Sequence, residues 1–251
     1  MQKRFFGLSG LPRSGSTLLS AILSQNPNIH SEGTSSLSAI MLQNFQLLHK
    51  HNENFHVNKK PERFFNIISS LTSIYYSNVH EPIIIDKCRL WTTQRALYMM
   101  YNFITPNPKI VVMERPLIDV VKSFVNILRK NNQSEEYINT ILDDGSTPII
   151  TALDGVRSAK AHNKGEFLFV QYDDLVNNPK DTIKNIYDFY EIEPFEHQFN
   201  NIICKHPEDD SVNFGFNRTG LHDIRPILSK RIVDIELSQD MIRKCEVLDI
   251  K

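Results

Sequence analysis

The sequence predicts an α/β fold in which helices cover both faces of a central, mostly parallel sheet. Short apolar runs that are typical of buried strands alternate along the chain with longer segments of helical period. Turn or polar residues bound each run, as they do in parallel strands that are buried on both faces. The 251 residues are enough for a sizeable core, and no repeat or low-complexity linker divides them. We therefore expect residues 1–251 to form a single three-layer α/β/α domain.

The same patterns place the expected elements along the chain. Apolar runs predict strands at residues 4–9, 82–85 (continuing into Asp86), 109–113 and 167–171. Helical periodicity predicts helices at residues 16–25, 36–50, 62–77, 91–103, 117–130 and 179–190. Pro116 and Pro179 fit the first turns of the last two helices. Residues 131–162 and the tail after Glu193 show no clear pattern, so we expect irregular insertions there.

The composition excludes several classes of function. With 28 basic and 29 acidic residues the net charge is −1, which supplies no general field for nucleic acid or a membrane surface. An anionic ligand must therefore be held by a few placed groups. No segment approaches the roughly 18 consecutive apolar residues of a membrane-spanning helix, and the N-terminus is typical of a first strand rather than a signal peptide. Cys88, Cys204 and Cys245 are far apart and have no metal-ligand spacing. These features predict a cytoplasmic protein.

Residues 5–19, FFGLSGLPRSGSTLL, are the most informative segment of the chain. An apolar strand enters a Gly/Pro/Ser turn that opens directly into a helix, a context in which backbone N–H groups bind phosphate. Gly10 and Gly15 have the G-x-x-x-x-G spacing of a nucleotide phosphate loop, and Thr17 stands where that motif has Ser or Thr. The segment therefore predicts a phosphate-binding loop, with an ordinary strand–helix turn as the alternative.

The loop departs from the nucleotide motif at its cation. Ser16 occupies the position of the usual lysine, which normally reaches the β- and γ-phosphates, so the loop is poorly suited to ATP or GTP. The cation lies within the loop instead, at Arg13. The guanidinium fork of an arginine suits one terminal phosphate or phosphosulfate group.

Residues 10–18, GLPRSGSTL, resemble the 5′-phosphosulfate-binding loop of the sulfotransferases that depend on 3′-phosphoadenylyl sulfate (PAPS). They are most similar to the Pro-Arg-Ser-Gly-Thr form found in the tyrosylprotein and bacterial branches. The resemblance implies a P-loop-NTPase-like sulfotransferase fold, PAPS as co-substrate, PAP as product and no metal. It also implies a set of loop residues that contact the phosphosulfate: Arg13, Ser14, Gly15, Ser16 and Thr17.

A second part of the resemblance lies a hundred residues further on. The predicted strand 109–113 is followed by Glu114-Arg115-Pro116 and by a helix that contains Ser123. In the family, an arginine at this strand end and a serine eight residues later contact the 3′-phosphate, and Arg115 and Ser123 match that spacing. Taken alone, Arg115 would be interpreted as a surface or salt-bridged arginine.

Two later segments are also similar to the family. Residues 169–179 resemble its Tyr-Glu-Asp-Leu segment, which implies that Tyr172 lies near the adenine; a core tyrosine at a strand end is the alternative. Residues 214–220 resemble the late loop that closes over the nucleotide. This second match implies nucleotide contacts from Arg218 and Gly220.

Sulfuryl transfer needs in-line positioning, cations over the leaving phosphate and a base for the acceptor's proton. The resemblance implies Arg13 as the leaving-group cation and Lys87, at a predicted strand end, as the cation at the transferring group. Glu32 matches, within about two positions, the glutamate base of the tyrosylprotein branch. The cytosolic branch has a histidine base where this chain has Arg89. Two other residues stay open as the base: His30 and Asp86.

The sequence thus predicts a metal-independent sulfotransferase that acts on a hydroxyl or amine of a glycan, peptide, lipid or small molecule. Acceptor-binding loops are expected at residues 35–58 and 131–163. One alternative is a P-loop kinase or NTPase, against which the missing loop lysine argues. The other is a catalytically silent nucleotide-binding module on the same fold. We expect no nucleic-acid partner, and the sequence gives no indication of the oligomeric state.

Overall fold

The computed structural model describes residues 3–50, 60–143, 147–208 and 222–249, together with Glu53 and Val57. Within these ranges the strands form one parallel sheet in the order β2-β3-β1-β4-β5. The strands are β1 (Arg4–Gly10), β2 (Ile29–His30), β3 (Ile83–Lys87), β4 (Ile110–Glu114) and β5 (Phe167–Gln171). After β1 the chain forms the edge strand β2 and then β3, which lies between β2 and β1, before it crosses to the other side of β1 to form β4 and β5. In parallel sheets ligands bind at the carboxyl ends of the strands beside such a reversal.

Helices pack against both faces of this sheet. They are α1 (Ser16–Leu23), α2 (Leu37–Lys50), α3 (Pro61–Tyr75), α4 (Gln94–Phe103), α5 (Leu117–Lys130), α6 (Glu135–Asn139), α7 (Pro148–His162), α8 (Tyr172–Asn177), α9 (Pro179–Tyr190) and α10 (Gln239–Leu248). A 3-10 turn, Arg89–Thr92, joins β3 to α4. In the part of the chain that is described, no helix is both long and apolar enough to cross a membrane.

The alternation of side chains along β1 divides the core in two. Phe5 belongs to the cluster formed with α2, α3, α4, α5 and α7, and Phe6 and Leu8 belong to the cluster formed with α1, α8 and α9. Strands that are buried on both faces in this way produce the continuous apolar runs seen in the sequence. The predicted α/β/α arrangement is therefore confirmed.

The four predicted strands and six predicted helices are present, with ends shifted by a few residues. The structure adds β2, whose two residues, Ile29–His30, are too short for a recognisable apolar run. The region expected to be irregular contains α6 and α7. Gly155, a poor helix former, interrupts the helical pattern of α7 in the sequence. The helix packs so closely against Thr92 at this residue that a Cβ would collide with the Thr92 side chain. The predicted helix at 91–103 starts later than expected, since Thr93 caps α4 by accepting a hydrogen bond from the Ala96 N–H.

A buried carboxyl group fixes the end of β3 where the polar edge of the sheet begins. Asp86 is 1% exposed and accepts hydrogen bonds of 2.6 Å from the Tyr76 hydroxyl and of 2.6 Å from the Trp91 indole N–H. Burial raises the pKa of Asp86 above its ordinary value. A buried acceptor is costly to leave without donors. Because the two donors come from the end of α3 and from the 3-10 turn, their bonds to Asp86 hold both segments against β3.

We predict that Tyr76→Phe lowers the free energy of unfolding by about 1–3 kcal/mol, because it removes one donor from a buried carboxyl group and leaves the shape unchanged. Urea denaturation monitored by circular dichroism measures this effect. Tyr98→Phe is the matched control, since Tyr98 is 50% exposed. Equal midpoints for wild type and Tyr76→Phe would contradict the structural role of Asp86.

Candidate active site

The carboxyl ends of β1, β3 and β4 border a cavity of about 510 Å³. This volume is in the range of small-molecule and cofactor sites. The parallel register places the last residues of the three strands at the same edge of the sheet. Most of the residues that the sequence singles out line the cavity: Arg13, Gly15, Ser16, Thr17, Lys87, Arg115, Ser123 and Tyr172.

The loop between β1 and α1 has a backbone that two glycines make possible. Gly10 and Gly15 have φ angles of 142° and 94°, which side chains rarely adopt. A Cβ at Gly10 would collide with the backbone oxygen of Met113, and one at Gly15 would lie 2.7 Å from the Tyr172 ring. The loop can therefore lie directly against β4 and α8, which brings its backbone to the floor of the cavity.

The N-terminus of α1 faces the cavity without a side-chain cap. Gly15 caps the helix with no side-chain hydrogen bond, and no acidic residue lies in the first turn. The first N–H groups of a helix have no intrahelical acceptor, and they carry the positive end of the helix dipole. Ser16 and Thr17, both at the cavity, therefore present backbone donors and hydroxyls to an anion.

Ser14 supports the loop from inside. Its side chain is fully buried, and its hydroxyl donates a hydrogen bond of 2.7 Å to the Leu11 carbonyl. Its backbone N–H donates to the same carbonyl at 3.2 Å. Ser14 was expected to contact the phosphosulfate, but in this structure it holds the shape of the loop and does not line the cavity.

The three parts of the resemblance meet at one wall of the cavity. Arg13 Nε donates to Ser123 Oγ at 3.2 Å, which joins the loop to α5. The Arg115 guanidinium lies 4.5 Å from the centre of the Tyr172 ring, within the range of a cation–π contact. Arg115 also donates to the carbonyls of Arg13 at 3.3 Å and of Arg231 at 2.9 Å. Spacing in the sequence did not show this convergence, and Arg231 carried no recognisable signal.

Lys87 forms the opposite wall, at the end of β3. Its Nζ donates to Thr17 Oγ1 at 3.0 Å and to Glu208 Oε1 at 2.7 Å. Burial lowers the pKa of Lys87, and the neighbouring Glu208 carboxylate opposes this effect. The ammonium therefore connects the loop between β1 and α1 to a carboxylate from the C-terminal part of the chain.

Sequence reasoning missed Glu208. Its side chain lines the cavity and is 12% exposed, with His222 Nε2 at 3.4 Å from Oε2. Burial raises the pKa of Glu208, but the charge and hydrogen bond of Lys87, together with smaller effects of His222 and the Thr34 N–H, leave the pKa below its ordinary value. No motif could have identified this residue, because it belongs to a tail without helical or strand period.

The three residues considered for the base do not line the cavity. Glu32 Oε2 lies 3.3 Å from His30 Nε2, and the neighbouring imidazole lowers the pKa of Glu32. Asp86 is enclosed by Tyr76 and Trp91, as described above. Arg218 and Gly220 lie outside the described residues. Within the described ranges, no three His, Cys, Asp or Glu side chains group as metal ligands.

Solved structures share the fold at low sequence identity. The sulfotransferase domain of the Synechococcus PCC 7002 olefin synthase aligns with a TM-score of 0.52 at 18% identity, covering 98% of this chain and 95% of that one. A sulfotransferase from Alicyclobacillus acidocaldarius aligns with a TM-score of 0.53 at 12% identity, covering 79% and 85%. A mouse sulfotransferase in complex with PAP aligns with a TM-score of 0.51 at 14% identity, covering 78% and 62%. These likenesses show the sulfotransferase fold.

Sequence comparison identifies the family itself. A search of curated proteins finds no significant match. The model of the Sulfotransferase family, however, matches residues 7–197, which include the loop, Lys87, Arg115, Ser123 and Tyr172. Because this match spans most of the chain, the protein belongs to the Sulfotransferase family.

Proposed function

We propose that the protein transfers a sulfuryl group from PAPS to a hydroxyl or amine of an acceptor, by in-line displacement without a metal. One observation carries the proposal: the uncapped loop–helix junction, Lys87 and the Arg115–Ser123–Tyr172 group converge on a single cavity. PAPS supplies an activated sulfuryl group whose leaving group is a phosphate. A site for it needs donors at two separated phosphates and a platform for the adenine.

The first end of the cavity fits the 5′-phosphosulfate. The N–H groups of Ser16 and Thr17 and the guanidinium of Arg13 would bind the phosphate, where charge develops as the bond to sulfur breaks. The Lys87 ammonium, bonded to Thr17 at 3.0 Å, would hold the sulfuryl oxygens. Donors that are fixed before the reaction stabilise this charge without reorganising.

The second end fits the 3′-phosphate and the adenine. Arg115 is 7% exposed, and its Nε makes no hydrogen bond within the described residues; the nearest carboxylate, Asp119, is 3.9 Å away. A buried donor without an acceptor is costly, so a phosphate oxygen at this position would be favourable. Ser123 would add a hydroxyl donor, and Tyr172 would lie beside the adenine. The contacts expected of Arg218 and Gly220 remain part of the proposal.

The structure gives one further argument against a kinase. In P-loop nucleotidases the Ser or Thr hydroxyl of the loop binds magnesium. Here the corresponding Thr17 hydroxyl accepts a hydrogen bond from the Lys87 ammonium. A cationic side chain at that oxygen disfavours a divalent cation by like-charge repulsion, which supports anion binding without metal.

Consumption of PAPS is the direct test of this function. We expect the protein to convert ³⁵S-labelled PAPS to PAP and to label at least one class in panels of glycans, peptides, lipids and phenols, with equal rates in EDTA. Binding of PAP without consumption of PAPS would indicate the silent nucleotide-binding module. Magnesium-dependent binding of ATP, with none of PAP, would revive the kinase alternative.

Arg115 gives a prediction for nucleotide affinity. Arg115→Ala should weaken PAP binding by about 10- to 100-fold, because hydrogen bonds to a charged group contribute about 1.5–3 kcal/mol. Isothermal titration calorimetry with PAP measures this. Arg129→Ala is the matched control, an exposed arginine at the far end of α5 that pairs with Glu135. Unchanged affinity in Arg115→Ala would remove this residue from the site.

A further inference from the structure

A carboxylate lies among basic side chains at the wall of the cavity that faces the loop. Glu208 Oε1 accepts a hydrogen bond of 2.7 Å from Lys87 Nζ, and Oε2 lies 3.4 Å from His222 Nε2. The Arg89 guanidinium also interacts electrostatically with this carboxylate. A carboxylate is an unexpected lining for a site that binds an anion, so its position requires an explanation.

The protein holds this side chain in place from several directions. The backbone of Gly33 packs directly on it, since a Cβ at Gly33 would collide with Glu208 Cγ. The Thr34 N–H donates a hydrogen bond to the carboxylate. Ile202, on the same tail segment as Glu208, is 3% exposed, and its N–H donates to the Pro226 carbonyl at 2.7 Å. Glu208 is therefore anchored rather than a surface side chain that happens to fold inward.

Lys87 sets the distance between this carboxylate and the reacting group. The same ammonium contacts Thr17 of the loop at 3.0 Å and Glu208 at 2.7 Å. A base must reach the acceptor oxygen within hydrogen-bond distance, and that oxygen must approach sulfur to about 3–3.5 Å. An acceptor placed between the sulfuryl group on Lys87 and the Glu208 carboxylate meets both conditions.

On the basis of the proposed function, we propose that the Glu208 carboxylate is the general base that takes the acceptor's proton. Oε1 is used by Lys87, while His222 is beyond ordinary hydrogen-bond distance from Oε2. A carboxylate has about four lone-pair sites, so with the bonds from Lys87 and the Thr34 N–H in place Glu208 keeps the capacity to accept a proton at Oε2. Glu32, the base expected from the sequence, pairs with His30 and does not line the cavity.

The reaction step balances with Glu208 in this role. The acceptor oxygen forms a bond to sulfur while the bond between sulfur and the phosphate oxygen breaks, and the electron pair leaves with PAP. The acceptor's proton moves to Glu208 Oε2 as the new bond forms, and Glu208 later releases it to solvent. The products are a sulfate ester and PAP. Because the pKa of Glu208 lies below its ordinary value, the carboxylate is ionised at neutral pH.

The competing interpretation is that Glu208 only occupies the place of a sulfuryl oxygen on Lys87. The two roles of Glu208, anion mimic and general base, predict different effects on nucleotide affinity and turnover when its negative charge is removed. If Glu208 occupies an anion position, its neutral amide tightens PAP or PAPS binding and leaves turnover intact. If Glu208 is the base, the amide removes the proton acceptor and turnover falls.

The test compares Glu208→Gln, Glu32→Gln and wild type. The single-turnover conversion of ³⁵S-PAPS to PAP is measured with water and with the best acceptor of the panels, and PAP affinity by calorimetry. We expect Glu208→Gln to lose about 10²- to 10⁴-fold in rate, the usual contribution of a general base, and to bind PAP within a few-fold of wild type. Its residual rate should rise with hydroxide concentration, because a free base replaces the lost one. Glu196→Gln is the matched control, an exposed glutamate of the same tail.

Three outcomes overturn the proposal. A wild-type rate in Glu208→Gln excludes the residue as base, and tighter PAP binding with that rate identifies it as an occupant of the anion position. Loss of rate in Glu32→Gln alone assigns the base to Glu32. If the wild-type protein neither binds PAP nor consumes PAPS, the proposed function fails together with the base. This result is distinguishable from the first two outcomes, in which the wild-type protein is active.

Discussion

The hydrogen bonds of the Lys87 ammonium are the interaction on which the site depends. Lys87 ends β3, and the register of β3 and β4 on either side of the central β1 brings Lys87, the loop and Arg115 to the same edge of the sheet. From there its Nζ joins the loop at Thr17 to the C-terminal tail at Glu208. A buried ammonium is stable only with partners of this kind. The fold therefore constrains the position of the cation, and the cation constrains the two walls of the cavity.

The charge of the site contrasts with that of the whole chain. The protein has a net charge of −1, yet Arg13, Lys87 and Arg115 converge on one cavity beside an uncapped helix N-terminus. Placed donors in a partly buried site bind an anion more strongly and more specifically than a diffuse surface field, because screening by water and salt is reduced. In the proposed reaction, the anchored carboxylate of Glu208 would receive the acceptor's proton while these cationic groups hold the leaving group.

Local pattern was sufficient for four strands of the sheet and for the loop, but not for the two-residue strand β2. Apolar runs located β1, β3, β4 and β5 because strands buried on both faces leave that pattern, and the Gly10–Gly15 spacing located the loop because its backbone requires it. Contacts between segments that are far apart in the sequence leave no comparable pattern in it. Glu208 is 121 residues from Lys87, and its position depends on packing against Gly33. The resemblance pointed to Glu32, on the segment that Glu208 packs against, and gave no signal for Glu208, because a motif reports its own segment and not its tertiary neighbour.

The central claim is that this cavity binds PAP without a metal ion. Calorimetric titration of the wild-type protein with PAP, with and without EDTA, tests it most directly. We expect saturable binding of one PAP per chain, unchanged by EDTA, and much weaker binding of adenosine 5′-phosphate, which lacks the 3′-phosphate expected at Arg115 and Ser123. Absence of PAP binding, or binding that requires magnesium, would contradict it.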